Sequence, residues 1–262
     1  MMRRLFALSL LLPLAAGAAA QAPAQCDKVV IGAGPDYPPL HWYDGSTLRG
    51  ASLALATRIL SDMHVPYELR YVGPFPRLMA NVQAGRIDVV TTLKRTPERA
   101  VLLNFTSVPA FANPISVFVP RGRRFAYAGW QDLQGRVGGM ALGTRFGEPF
   151  DSYLREHLRV ESSNSLESNF KKLAVGRIDY LITGYYNGVA YMEAQHLEQQ
   201  FVALTPPLNE TQNYIGFYRN SACMRHFKEF DRRLAALVKA GEPDRMVQAA
   251  LQQWRAAPYT VR

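Results

Sequence analysis

The sequence is short of cysteine, of acidic charge and of long apolar runs, and each shortage excludes something. Two cysteines among 262 residues are too few for a disulfide-stapled scaffold or a four-cysteine metal site. Twenty-one acidic residues face 30 basic ones, for a net charge of +9; such a surplus suits an anionic partner or plain solubility. The tract Leu5–Ala20 contains Pro13 and Gly17 and falls short of the roughly 20 apolar residues that cross a bilayer. There is no G-x-S-x-G and no H-E-x-x-H, and the five histidines, at 41, 64, 157, 196 and 226, lack ligand spacing. No metal and no cofactor are therefore expected. Ser168-x-x-Lys171 has no partner motif of a penicillin-recognising serine enzyme. The hydrophobic share of 48% excludes a disordered chain.

What is present begins with an export signature. Arg3 and Arg4 precede an apolar run from Leu5 to Leu14, and small residues follow as far as Ala18-Ala19-Ala20. A charged head, an apolar stretch of this length and an A-x-A end read as a secretory signal removed near Ala20, leaving a soluble protein in the periplasm. Loss of Arg3 and Arg4 leaves 28 basic against 21 acidic residues. Outside the cytoplasm this surplus does not point to nucleic acid. The cluster Arg121-Gly122-Arg123-Arg124 then reads as a solvated turn.

The body of the chain repeats itself. The stretch 82–92, VQAGRIDVVTT, returns 91 residues later as 173–183, LAVGRIDYLIT. Before the first copy, Phe75, Leu78, Met79 and Val82 share one helical face; before the second, Leu166, Phe170 and Leu173 do so. Asn164 with Glu167 three residues on predicts a capping box. Gly85 and Gly176 stand where a helix ends in a left-handed residue, and the apolar run after each reads as a buried strand. Two helix–Gly–strand units in matched contexts predict two similar α/β lobes. Lys28–Ile31, Arg136–Met140 and Tyr214–Tyr218 read as further strands, and the proline-bounded Pro114–Pro120 as a crossing between lobes. Gly32-x-Gly34 lacks the third glycine of a dinucleotide-binding turn.

One constellation suits a small anion. Arg99 follows a strand end through Thr91, Thr92, Lys94 and Thr96-Pro97-Glu98, and a guanidinium pairs bidentately with a carboxylate. Thr91 and Thr92 lie at the carboxyl end of the strand, where open α/β sheets bind ligands. Gly143-Thr144-Arg145 precedes a helix expected near Glu148-Pro149, whose free N–H groups would suit an anion as well. The competing reading of Thr-Pro-Glu-Arg is an ordinary helix start with an exposed arginine.

These segments also occur in a familiar order. Gly34-Pro35-Asp36-Tyr37-Pro38-Pro39-Leu40, the Thr91–Arg99 segment, Val137–Thr144, Gly176-Arg177-Ile178-Asp179 and the closing helices resemble, across the mature chain, the bacterial extracellular solute-binding proteins of family 3. Those are the polar-amino-acid receptors of ABC importers. The resemblance implies a type II periplasmic-binding fold, α/β and two-lobed, with the ligand cleft between the lobes. Residues 1–20 would be the signal, 21–115 and 210–262 lobe one, and 116–209 lobe two. It further implies a small carboxylate solute, an ABC permease as partner, a monomer, and no enzymatic role.

Carried over by position, the ligand-carboxylate arginine is Arg99, with Thr91 and Thr92 as hydroxyl contacts and Thr144 with Arg145 at the second-lobe helix start. Tyr37 and Phe75 match the aromatic positions, Trp42 with Tyr43 replaces a less bulky pair nearby, and these aromatics, with Tyr185 and Tyr186, either stack on a ligand or belong to the lobe core. Three positions depart: Gly184 stands where the family places the aspartate for the α-ammonium, Gly34 where an acid often precedes the tyrosine, and Lys94 where a hydroxyl is usual. Asp36 or Glu148 is available to replace the missing acid. The resemblance also admits a cyclohexadienyl-dehydratase-like enzyme, or a sensory receptor uncoupled from transport. The enzyme needs an acid–base pair, and with glycine at 184 and no histidine expected beside the anion site that pair is missing. Cys26 opens the first strand of lobe one and Cys223 follows the strand returning to it, so a disulfide between them is expected in an oxidising compartment.

Overall fold

The structure is a computed structural model that describes residues 25–256, except Pro35, Gly143 and the side chain of Asp36. The expected signal at 1–20 lies outside the described residues. The chain opens with β1 (Val29–Gly32), a small antiparallel sheet of β2 (Asp36–Tyr37), β3 (His41–Tyr43) and β4 (Leu48–Arg49), then α1 (Ala51–Asp62), β5 (Tyr67–Leu69), α2 (Phe75–Gln83), β6 (Val89–Leu93), α3 (Pro97–Leu102) and β7 (Leu103–Phe105). The long β8 (Phe111–Pro120) leads to β9 (Val137–Ala141), α4 (Phe150–His157), β10 (Arg159–Ser163), α5 (Leu166–Ala174), β11 (Tyr180–Gly184), α6 (Tyr185–Ala194) and β12 (Phe201–Ala203). An equally long β13 (Asn209–Tyr218) returns to α7 (Phe227–Lys239) and α8 (Glu242–Ala256).

Among the described residues ten strands form one curled sheet, ordered β10-β9-β11-β8-β13-β6-β1-β5, with β12 on β8 and β7 on β13. Its two halves are built alike. In one, β5, β1 and β6 run parallel and β13 pairs antiparallel to β6; in the other, β10, β9 and β11 run parallel and β8 pairs antiparallel to β11. Each half has apolar clusters on both sheet faces, as buried parallel strands require. The halves join where β8 and β13 pair from Phe111↔Asn213 to Ile115↔Asn209. Both strands are longer than the sequence predicts. The added residues are this two-stranded connection, whose alternating polar side chains hide the strand period from an apolar-run reading.

The repeated motif has a physical reason. Gly85 and Gly176 sit at φ +69° and +76°, left-handed values that end α2 and α5. The aspartate three residues on from each glycine turns back onto the neighbouring strand: Asp88 Oδ2 accepts the Val30 N–H at 2.8 Å, and Asp179 Oδ2 accepts the Val137 N–H at 2.7 Å. Each carboxylate thus pins the strand beside its own. The cap of α5 differs from expectation: Ser165, not Asn164, is the N-cap, its Oγ accepting the Ser168 N–H at 3.0 Å. Cys26 and Cys223 are joined by a disulfide with Cα atoms 5.0 Å apart.

Candidate functional site

Two adjoining cavities of ≈ 630 and ≈ 650 Å³ lie along the junction of the halves, and Tyr37, Lys94 and Arg145 line both. The period of β6 decides which threonine reaches them. Thr91 faces inward, fully buried, with its hydroxyl 2.9 Å from that of Ser52. Thr92, one residue on, points the opposite way and lines the first cavity. Of the expected pair of threonine contacts only Thr92 faces a cavity; Thr91 is a core residue.

Past β6 the chain turns into α3. Thr96 is its N-cap, its Oγ1 accepting the Arg99 N–H at 3.3 Å, and Pro97 follows at the first helical position. The ordinary helix start and the expected anion position are thus the same segment, because the cap sets where Arg99 emerges. Its Nη1 donates to the Lys94 carbonyl at 3.0 Å and its guanidinium lies 5.1 Å from the centre of the Phe75 ring, a cation–π distance. Burial lowers the pKa of Arg99 from its ordinary value, against the nearby charge of Glu98. Lys94 is also lowered, chiefly by burial, and its Nζ donates across the cleft to the Arg145 carbonyl at 2.6 Å.

His41 was not expected here. It lines the first cavity, pairs with Tyr37 across the β2–β3 hairpin, and holds its Nδ1 2.8 Å from Thr92 Oγ1. Burial pushes its pKa down to about 3, so the ring is neutral across the physiological range. The sequence signal was the Tyr-Pro-Pro turn that folds residue 41 back onto residue 37. The junction strands supply further residues that the sequence did not flag. Asn113 Nδ2 donates to the Tyr37 hydroxyl, which also bonds Asn213, and burial raises the Tyr37 pKa.

The second cavity is lined by Thr144, Asn113, Asn187, Thr183, Tyr191 and Trp254, among others. Gly184 lies in its wall, and a Cβ there would meet Asn113 Nδ2 at 2.7 Å and Asn187 Oδ1 at 3.1 Å. Neutral amides fill the space that an aspartate would take. Glu167 is the one described acid of this lining, and it is 2.6 Å from Lys171. No described acid lines the first cavity.

Other expected positions fall elsewhere. Trp42 is in the core, edge-on to Trp254 at 5.4 Å, since it is the inward residue of a two-sided strand. Tyr186 packs on the same core, and neither it nor Tyr185 lines either cavity. The N–H groups ahead of α4 are not free, because Asp151 accepts from Phe146 at 2.8 Å and Gly147 at 3.1 Å. Glu148 binds Ser152 and Arg155 instead of entering the cleft. No group of three or more metal-ligating side chains occurs among the described residues.

Comparison with known proteins places this architecture. The sequence profile of the bacterial extracellular solute-binding proteins, family 3, matches residues 29–256. The arginine-binding extracellular protein ArtP of Bacillus subtilis is 22% identical over 221 residues, covering 84% of each chain. The L-cystine-binding protein TcyJ of Escherichia coli K12 is 26% identical over 159 residues, 59% of this chain and 58% of that one. Among solved structures, the amino acid ABC transporter substrate-binding protein AbpA of Streptococcus pneumoniae, bound to L-arginine, superposes with a TM-score of 0.64 at 20% identity, over 86% of this chain and 95% of that one.

Proposed function

The chain belongs to the bacterial extracellular solute-binding proteins of family 3, and from that membership we propose that it captures a small carboxylate in the periplasm and delivers it to an ABC permease. The single observation that carries the carboxylate is the first cavity, where Arg99, Lys94 and Thr92 face a space that no described acid shares. A half-buried guanidinium without a counter-ion is costly. A carboxylate supplies two acceptors in the plane of its fork, and Thr92 adds a hydroxyl. Arginine and cystine, the solutes named for the two relatives, both carry a carboxylate. They also carry an α-ammonium, and here the position for its acid is Gly184, walled by amides. Carboxylates without an ammonium are therefore preferred over standard cationic amino acids.

A thermal-shift screen of the twenty amino acids against a panel of organic acids tests the reading. Organic acids should give the largest shifts, and Arg99→Ala should abolish them. Lysine, arginine or histidine as the strongest ligand would contradict it.

One observation favours an enzymatic reading, namely His41 in the lining. Burial that holds its pKa near 3 makes it a poor base at neutral pH, and its one described side-chain hydrogen-bond partner is the Thr92 hydroxyl. Turnover of prephenate or arogenate, lost in His41→Asn, would establish that reading over capture.

A further inference from the structure

The two cavities meet at a set of positive charges that a single carboxylate does not match. Lys94 and Arg145 line both cavities, and Arg99 lines the first. Lys94 comes from the β6 side of the cleft and Arg145 from the β9 side. The Lys94 ammonium spends one of its three donors on the Arg145 carbonyl. The Arg145 guanidinium has one described partner, the Thr144 carbonyl at 3.2 Å. Of the described acids nearby, Asp151 accepts from the N–H groups of Phe146 and Gly147 while its charge also acts on Lys94, and Glu167 pairs with Lys171.

We propose that the ligand carries two anionic groups, a dicarboxylate without an amine, with one carboxylate on Arg99 and Thr92 and the second between Lys94 and Arg145. This deepens the carboxylate reading above and rests on it. The second carboxylate would bridge the halves, because its two cations belong to opposite sides of the cleft. It would also explain why lysine, a compact point charge, stands at position 94 beside Arg99. The amide wall at Gly184 offers an ammonium no carboxylate, so the charge count favours a plain dicarboxylate over aspartate or glutamate.

Calorimetric titration of the ligand-stripped protein with succinate, glutarate and adipate, each beside the monocarboxylate of equal chain length, tests this. The best dicarboxylate should bind at least tenfold more tightly than its monocarboxylate. Lys94→Gln and Arg145→Gln should each bring that ratio below threefold, with folding checked by circular dichroism, while Arg124→Gln, in the exposed turn, leaves it unchanged. Equal or tighter binding of monocarboxylates overturns the proposal, as does tighter binding of aspartate or glutamate than of succinate or glutarate. If neither class binds, or if binding ignores Arg99→Ala, the parent reading falls and this one with it.

Discussion

At the scale of single residues, the account rests on Arg99 and on its neighbour His41. Removing one partner of a desolvated charge pair costs about 3–5 kcal/mol, roughly two to three and a half decades of affinity. Arg99→Ala should lose binding by that factor while keeping its circular dichroism spectrum; a change under threefold would refute the assignment. His41 makes a separate prediction for stability. Its folded pKa, about 3, lies below the ordinary 6.5, so between these values the unfolded chain binds the extra proton. Stability is then lost as pH falls from about 6.5 towards 3, at up to about 1.4 kcal/mol per pH unit. His226, also lowered, by burial and then by the charge of Arg225, adds to the loss below about 6.5. Denaturant titrations at pH 7 and pH 5 should show a smaller loss in His41→Asn than in the wild type. At this scale the sequence was partly legible. Arg99, Lys94 and Thr92 stand out by type and spacing, but strand facing separates Thr92 from Thr91 and sends Trp42 inward, and facing is set by sheet register. His41, Asn113 and Asn213 come together only through a hairpin and two distant strands.

At the scale of elements, the echoed Gly-Arg-Ile-Asp motif was the most informative signal. Its glycine ends a helix by local geometry, so it is visible in one dimension. Its aspartate acts on a strand more than 40 residues away, which no local pattern announces. Gly85 has a left-handed φ and open space around a Cβ, the nearest atom being Tyr218 Cε1 at 3.8 Å. Gly85→Ala should therefore cost about 1 kcal/mol by backbone strain alone, read as a shift of the urea midpoint. Asp179→Asn should cost about 0.5–1.5 kcal/mol by weakening the bond to the half-buried start of β9. No change in midpoint for either variant would show that these termini are not strained or pinned as described.

At the scale of the whole molecule, the pairing of β8 with β13 makes a seam of two strands between halves that each own a core. The Cys26–Cys223 bond ties the start of β1 to the segment after β13, closing a separation of 197 residues within one half. Reduction should lower stability by about 2–4 kcal/mol, and two reactive thiols in the denatured, unreduced protein would contradict the bond. The two-lobed plan was readable because the repeat doubles every cue. The chemistry of the cleft was less so, because Asn113, Ile115, Thr211 and Asn213 reach its lining from the seam. Native mass spectrometry of the protein purified from its native cells, without dialysis, tests the central claim most directly. Capture of a small carboxylate by Arg99 predicts an organic acid retained by the wild type and missing from Arg99→Ala; a cationic amino acid, or the same bound mass in both proteins, would contradict it.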